Sequence, residues 1–562
     1  MLRSLRDSAV RRPVHLWRIR PEAFFCWMLG IAVILGLAGC SPEQYKAQAD
    51  KEVYEIIDNK WSDGLGHKSN YIISDSNIPP TPDDIQIELA VPESGVIDLA
   101  QAVAIATAYS REYQGRKEEL YLKALDLTLA RHQFARQWFG TVDARYNNNN
   151  EDENVDSRDE YENVNAGAGL GFQQLLADGA RISIDIAMDW TRFLTGDPRT
   201  SLASILSAEA SQPLLRGRGR AIVQENLTQA ERDVLYQIRS FNRYRKDFVV
   251  SIADDYYRVL EQKANVTNAE NSYYRLVESR KRLEIEVEAG SAKPFDVDEA
   301  KQQALNAENR WVQAQQNYER ALDEFKVRLS LPPSAEIELD DNELKALEDI
   351  GIIEPGYELN EAVETAFLRR LDLANSRDKI DDAARKVEVA ADNLGIELDL
   401  VGSAGVGSTP ETNFDRLQFH EGDYSFGLRS NDLGLDRKAE RNEYRKALIT
   451  LEQQQRQNEL DTDRIELDVR QALRALKAEA ERYRIQKMAL DLAQRRLETQ
   501  KLMLEIGQSN VRLLLESEGA LLEAQNDVTS ALVAHAIAKL GFFRDIGILQ
   551  VRPDGMWEQQ VQ

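Results

Sequence analysis

An internal duplication is the feature that most constrains this chain. Glu288-Ala289-Gly290-Ser291 ends one long helical pattern and Glu505-Ile506-Gly507-Gln508 ends another. A shift of 217 residues superposes Gly290 on Gly507, Leu305 on Leu522, Ala307 on Ala524, Asn309 on Asn526 and Phe325 on Phe542. The same shift carries Leu329-Ser330-Leu331 onto Ile546-Gly547-Ile548. A shift of 260 places Leu99, Ala102, Val103 and Ala106 on Leu359, Ala362, Val363 and Ala366. Length alone, 562 residues, would suggest three or four domains. The duplication argues instead for one plan executed in two interlocked halves. Each glycine interrupts a helix that nothing else in the sequence would stop, and each is read as a hairpin tip, because Gly takes the left-handed C-terminal cap at little cost.

Around each tip the periodicity is that of very long helices. A helix of about 70 residues, near 105 Å if straight, is expected from about Arg220 to Ala289. Leu227, Ala230, Val234, Phe241, Tyr244 and Phe248 recur in it at spacings of 3, 4 and 7, a coiled-coil seam. A second helix of about 70 residues is expected from Asp436 to Glu505. Its seam runs Val469, Leu473, Leu476, Ala480, Tyr483, Leu490, Leu497, Leu504, with Lys487, Gln494 and Lys501 in the same register near the tip. Returning helices run from Pro294 to Leu331 and from Val511 to Asp545, with Pro294 suited to a first turn that needs no N–H. Shorter helical patterns cover Asp98 to Trp138 and Leu359 to Leu394.

Between helices the period drops from 3.6 to 2. Residues 139–146, 163–174, 180–193 and 201–215 alternate small or apolar with polar side chains, and Gly395 to Gly407 and Leu417 to Ser430 are strand candidates in the second half. About ten residues of alternation per segment is the pattern of membrane β-strands. Gly167, Gly169 and Gly171 alternate inside one strand, which suggests a close approach of backbones. The acidic, Asn-rich stretch from Asn147 to Asn163 has Ser157 where a calcium loop starting at Asp152 needs Gly, and is read as a solvated loop.

The N-terminus reads as a targeting segment. Six arginines between Arg3 and Arg20 precede an apolar run, Ala23 to Leu37, which at about 15 residues is short for a membrane span of roughly 20. It ends Leu37-Ala38-Gly39-Cys40, which resembles a bacterial lipobox and implies cleavage before Cys40 and lipidation of its thiol. Ser41, in place of Asp, implies sorting to the outer membrane. The other cysteine, Cys26, would leave with the leader, so the mature chain has no disulfide. The whole chain carries a net charge of −25, and loss of six basic and two acidic residues makes it −29. Such a polyanion is a poor nucleic-acid ligand, because phosphate contacts need Lys and Arg.

With two tips, unequal helix pairs and paired strands in place, residues 97–549 resemble the TolC-like outer-membrane efflux family. The resemblance implies a mostly α fold with β: a long coiled-coil α-helical barrel plus a transmembrane β-barrel completed by trimerisation, from two internal repeats. The organisation expected is a lipoprotein signal peptide at 1–39, an N-terminal periplasmic segment at 40–96 with a short helix from Pro42 to Ile57, a first repeat at 97–331, a linker at 332–356, a second repeat at 357–549 and a tail at 550–562. Physics agrees on oligomerisation. Four to six strands per chain cannot close a barrel, and an open edge in lipid leaves backbone groups unpaired. Four strands from each of three chains would give twelve; the segment at 180–193 is either a further barrel contribution or a hairpin outside it.

The resemblance also implies roles. Cys40 is the lipidation site. Asp296 and Glu299, and Glu516 in the second half, are the gate candidates, carboxylates lining the periplasmic constriction, with Leu513 where an Asp is typical. A plainer role for Asp296 is to cap its helix, and for Glu299 to complement the helix dipole. Gly290 and Gly507 correspond to tips that dock a periplasmic adaptor protein, itself joined to an inner-membrane pump. Junction prolines common in the family are matched by Pro213 but replaced by Gly395 and Gly434, which leaves the junction geometry open.

No catalytic constellation is present. His15, His67, His132, His420 and His535 are not at metal-ligand spacing, and there is no nucleophile elbow, phosphate loop or dinucleotide fingerprint. No metal, cofactor or enzymatic activity is expected. The expected function is a passive, gated exit duct of a tripartite efflux or type I secretion system, assembled as a homotrimer in outer-membrane lipid. The alternative is a structural coiled-coil lipoprotein, which has no use for alternating strands; an adaptor would show lipoyl-like segments flanking a single hairpin.

Overall fold

The computed structural model describes residues 41–62, 65, 68, 71–73, 91–92, 94–149, 161–193, 200–290, 293–353, 356–408, 417–506, 508–552 and 556–557. Cys40 and the leader, Gly507, and Asp152, Asn154 and Asp156 of the acidic loop lie outside the described residues. The chain divides into two units, Met1–Glu55 and Ile56–Gln562. In the first, residues 42–55 are helical, as the opening of α1 (Pro42–Lys60). Everything below belongs to the second.

The duplication is visible in element boundaries. The first half runs β1 (Val96–Ile97), α2 (Leu99–Tyr109), α3 (Arg111–His132), strands β2 (Gln137–Asn149), β3 (Tyr161–Leu175), β4 (Arg181–Phe193) and β5 (Thr200–Pro213), a single turn at Arg220–Val223, then α4 (Glu225–Glu288) and α5 (Pro294–Arg328). After β6 (Glu338–Leu339) and α6 (Asn342–Ile350), the second half runs α7 (Leu359–Arg369), α8 (Leu371–Asp392), β7 (Asp399–Gly407), β8 (Asp423–Arg429), α9 (Lys438–Glu505) and α10 (Val511–Asp545). The pairs α2/α7 and α3/α8 match residue for residue at the offset of 260, and α5/α10 at 217.

Three expectations are corrected. The helix expected from Asp98 to Trp138 breaks at Ser110, which turns extended (ψ 124°) and accepts a hydrogen bond at its Oγ from the Tyr113 N–H at 3.4 Å, restarting the helix as an N-cap. The second half breaks at the equivalent Arg370 (ψ 118°), whose guanidinium pairs with Asp372 and Asp468. The segment 332–356 is not a bare linker: Val96 and Ile97 pair in parallel with Glu338 and Leu339, and α6 follows. The middle of α4 carries more than a seam. Phe248, Val249 and Val250 are consecutive, each about 100° further around the helix, yet all three are buried, because α2, α3, α5, α8 and α10 all pack on this helix. Tyr113 packs, its ring tilted, against Phe241 and Phe248 at 5.7 and 5.2 Å, and the Tyr256 hydroxyl donates to the Ile97 carbonyl at 3.0 Å, tying β1 to the core.

The second seam holds as expected. Val469, Leu473, Leu476, Ala480, Tyr483 and Leu497 are buried, and the cluster of the first three takes in Phe542 and Ile546 from α10. Phe325 and Phe542, equivalent in the two halves, are both fully buried. No helix among the described residues is long and apolar enough to cross a membrane.

The six long strands form one antiparallel sheet in the order β2-β3-β4-β5-β7-β8. The segment left open at 180–193 is β4, an interior strand of that sheet.

Candidate functional site: the hairpin tips and the sheet wall

The register sorts every side chain of the sheet to one of two faces. Val142 opposes Ala168, Ala168 opposes Met188, Leu206 opposes Val406 and Ala404 opposes Tyr424, so even-numbered positions share one face throughout. That face is apolar on every strand: Trp138 and Val142 on β2, Leu170 and Phe172 on β3, Ile182, Ile184, Ile186 and Met188 on β4, Leu206 on β5, Phe426 and Leu428 on β8. Trp138, Leu170 and Phe426 are each exposed over more than half their surface. Trp138 packs on Phe172 at 5.2 Å at the helical end, while Tyr146 and Trp190 lie toward the other. From Trp138 to Tyr146 the strand advances about 27 Å, close to the roughly 25 Å apolar band of membrane barrels.

The odd-numbered face is mainly polar: Thr141, Asp143, Asp185, Asp189, Ser207 and Glu209 lie on it, with Phe139 and Ile205 as exposed apolar exceptions. The glycine stripe of β3 belongs here. A Cβ at Gly167 would stand 2.6 Å from Asp143 Oδ1 and 3.2 Å from Asp189 Oδ1. The stripe therefore makes room mainly for neighbouring side chains, where a close approach of backbones was expected.

The junctions between strands and long helices are locked by charge. Asp432 accepts from Arg216 Nη1 at 2.8 Å and Arg437 Nη1 at 2.6 Å, and Arg216 Nη2 reaches Glu397 at 2.7 Å. Arg437 Nη2 also donates to the Gly395 carbonyl at 2.8 Å. This network spans both halves at the place where the matching second-half proline is missing.

At the first tip Gly290 has φ +77°, and a Cβ there would meet nothing within 4 Å, so conformation alone selects glycine. Asp296, in the first turn of α5, accepts from the Lys293 N–H at 3.3 Å, the capping role weighed above. Glu299 is half-buried one turn on and has no ion-pair partner among the described residues. Glu516, its equivalent on α10, is exposed and paired with Arg512 at 3.3 Å. No hydrogen bond or ion pair joins Asp296 or Glu299 to Glu516 among the described residues.

Near the tips the carboxylate that joins the two hairpins is Glu518, which sequence reasoning missed. It is 1% exposed and receives Arg275 Nε of α4 at 2.7 Å and Lys501 Nζ of α9 at 3.4 Å. These groups line a cleft of about 140 Å³ between the hairpins. Beside it Leu276 and Leu283 of α4 and Ala300, Ala304 and Ala307 of α5 pack on Val511 and Leu515 of α10. The signal was Lys501, a cation in an apolar seam; a charge there needs a counter-ion. Lys487, the other seam cation, lies over the Tyr483 ring at 5.7 Å.

No protein-family model matches the sequence. No curated protein matches it either. Solved structures do. The outer-membrane channel OprN aligns with a TM-score of 0.58 at 15% identity over 86% of this chain and 96% of that one. CusC, described with transmembrane channel formation, aligns at 0.57 and 13% over 85% and 99%. The outer membrane protein VceC of Vibrio cholerae aligns at 0.57 and 13% over 80% and 96%. At these identities the likeness is one of fold. Duplicated hairpins, matched element lengths and a two-faced sheet make this the fold of the TolC-like outer-membrane efflux proteins.

Proposed function

We propose that this chain is the outer-membrane component of a tripartite efflux or type I secretion system, a passive exit duct with a gate at the hairpin tips. The observation that carries the reading is the sheet. One face is apolar on all six strands, with Trp138, Val142, Leu170, Ile184, Phe426 and Leu428 exposed on the single chain, the other is mainly polar, and the helices continue from one end. Lipid on the first face and water on the second is the arrangement that satisfies both. A coiled-coil lipoprotein leaves the apolar face without a use.

The duct is a homotrimer. Heptad-spaced apolar residues remain exposed on the helices, among them Leu122 and Leu129, Leu305 and Val312, and Ile485 and Leu492. A second copy packing there would bury them. The tips around Gly290 and Gly507 dock the hairpin of a periplasmic adaptor, which links the duct to an inner-membrane pump; Ile285, Phe295, Leu502 and Ile506 present exposed apolar surface beside them. Cys40 carries the lipid anchor after removal of 1–39. Asp296, Glu299 and Glu516 ring the constriction, and mutual repulsion there favours bound cations. The duct carries out no covalent chemistry and its cargo is set by the pump.

The test is single-channel conductance of the purified protein in a planar bilayer. Small, discrete, cation-selective steps are expected, larger in the D296N/E516Q double variant. Unchanged conductance in that variant overturns the gate assignment and leaves the duct. A non-conducting, water-soluble particle overturns the duct.

A further inference from the structure

We propose that three copies of this chain close an 18-stranded barrel, with the β3–β4 hairpin built into its wall and the edges of β2 and β8 as the surfaces that join one copy to the next. The number of copies rests on the duct reading; the number of strands each contributes rests on the sheet.

The hairpin is interior to the sheet. β3 pairs with β2 from Gln137↔Gln173 to Asn149↔Tyr161, and β4 pairs with β5 from Arg181↔Ser211 to Arg192↔Thr200. Lifting the hairpin out of the wall would break both ladders. Its outward face has the composition of the rest: Ile182, Ile184, Ile186, Met188 and Trp190 alternate with Ser183, Asp185, Ala187, Asp189 and Thr191. A hairpin standing in water on both sides has no use for an unbroken apolar row. Its turn is also anchored at the helical end, where the Gly219 N–H donates to the Asp178 carbonyl at 3.2 Å and Pro213 and Val223 close on Gly179.

The outermost strands, β2 and β8, each keep one unpaired edge. In hydrocarbon those N–H and C=O groups need partners, and no lipid group supplies them. Six strands is an even number, so β8 of one copy meets β2 of the next antiparallel, and the alternation continues unbroken around the ring. The apolar row is likewise continuous, since Phe426 on β8 and Val142 on β2 lie on the same face.

Three times six is eighteen strands. Barrel diameter grows roughly linearly with strand number, so this wall is about one and a half times as wide as one built from four strands per copy. Barrels of 16–18 strands enclose an open aqueous channel. The outer-membrane end is then a wide mouth, and selection falls to the tips.

The experiment is cryo-electron microscopy of the full-length protein in lipid nanodiscs, counting strands in a cross-section through the belt of Ile184 and Ile186. A trimer with eighteen strands and a barrel about 1.5-fold wider than a twelve-stranded one is expected. A trimer with twelve strands and the β3–β4 hairpin outside the wall overturns this inference and leaves the duct reading intact. A particle without a closed barrel overturns both.

Discussion

Arg275 and Glu518 meet at 2.7 Å across the two hairpins, with the carboxylate 1% exposed. Losing one member of a buried pair costs more than the pair was worth, because the survivor is left charged and dry; typical costs are about 3–5 kcal/mol. Arg275→Met strands Glu518 beside Lys501 alone, whereas Glu518→Gln removes the buried charge and leaves two cations that reach solvent. Arg275→Met is therefore expected to lower the unfolding temperature more than Glu518→Gln. Both are expected to loosen the tips and raise bilayer conductance. Equal thermal shifts, or conductance unchanged in both, would show that this pair does not hold the hairpins together.

Ser330 and Gly547 end equivalent helices in the same left-handed conformation, at φ +61° and +82°. Each is followed by a 6→1 hydrogen bond, Leu331 N–H to Lys326 C=O at 2.8 Å and Ile548 N–H to Phe543 C=O at 3.1 Å. Serine carries a steric cost there of about 1 kcal/mol. Ser330→Gly is expected to raise stability by up to about 1 kcal/mol, reduced by the added freedom of the unfolded chain. Gly547→Ala is expected to be the larger effect and destabilising, since its Cβ would stand 3.0 Å from Arg369 Cβ and 3.1 Å from the Arg369 carbonyl carbon. Thermal unfolding at fixed protein concentration measures both; a stabilising Gly547→Ala contradicts the cap.

Lys246 donates to the Gly547 carbonyl at 3.1 Å, and burial, reinforced by Arg243 and Arg245 and opposed by Asp247, pulls its ammonium down to about 8. An unfolded lysine titrates near 10.4. Between about 8 and that value the unfolded chain binds more protons than the folded one, so stability from this group rises with pH across the window. At pH 7 the folded protein bears the full cost of a buried ammonium. Lys246→Met removes the titration and is expected to flatten the change in melting temperature between pH 7 and pH 10 relative to wild type. Identical pH profiles would mean that Lys246 does not titrate in this window.

Much of this is legible in the sequence itself. The offsets of 217 and 260 are written in small and apolar residues that sit where helices touch, so Ala102 and Ala362, or Phe325 and Phe542, announced equivalent cores. The 3.5-residue seam from Val469 to Leu497 survived intact because a helix pair constrains one face and leaves the others free to be polar. What stayed hidden depends on distant partners. Glu518 reads as one more surface acid until Arg275, far back in the chain, comes to meet it. The break at Ser110 carries no Gly or Pro and is set by a side-chain cap. The parallel pairing of Val96 and Ile97 with Glu338 and Leu339 has no two-residue signature at all. The place of β4 in the sheet was open because alternation shows that a strand has two faces without saying which neighbours it takes.

The face assignment itself makes a prediction on adjacent residues. Ile186 opposes Leu170 on β3 and Leu206 on β5, on the apolar face, while Asp185 opposes Gly171 and Ser207 on the polar one. A basic residue facing lipid near mid-membrane costs about 2–4 kcal/mol, multiplied over every copy in the barrel. Ile186→Lys is therefore expected to reduce assembled oligomer sharply on gels run without boiling. Asp185→Lys is expected to leave assembly near the wild-type level and to shift ion selectivity toward anions, since charges lining a water-filled lumen act on permeation rather than insertion. The reverse pattern, assembly lost in Asp185→Lys and kept in Ile186→Lys, would put water on the even-numbered face and lipid on the odd, and the wall would have to be turned inside out.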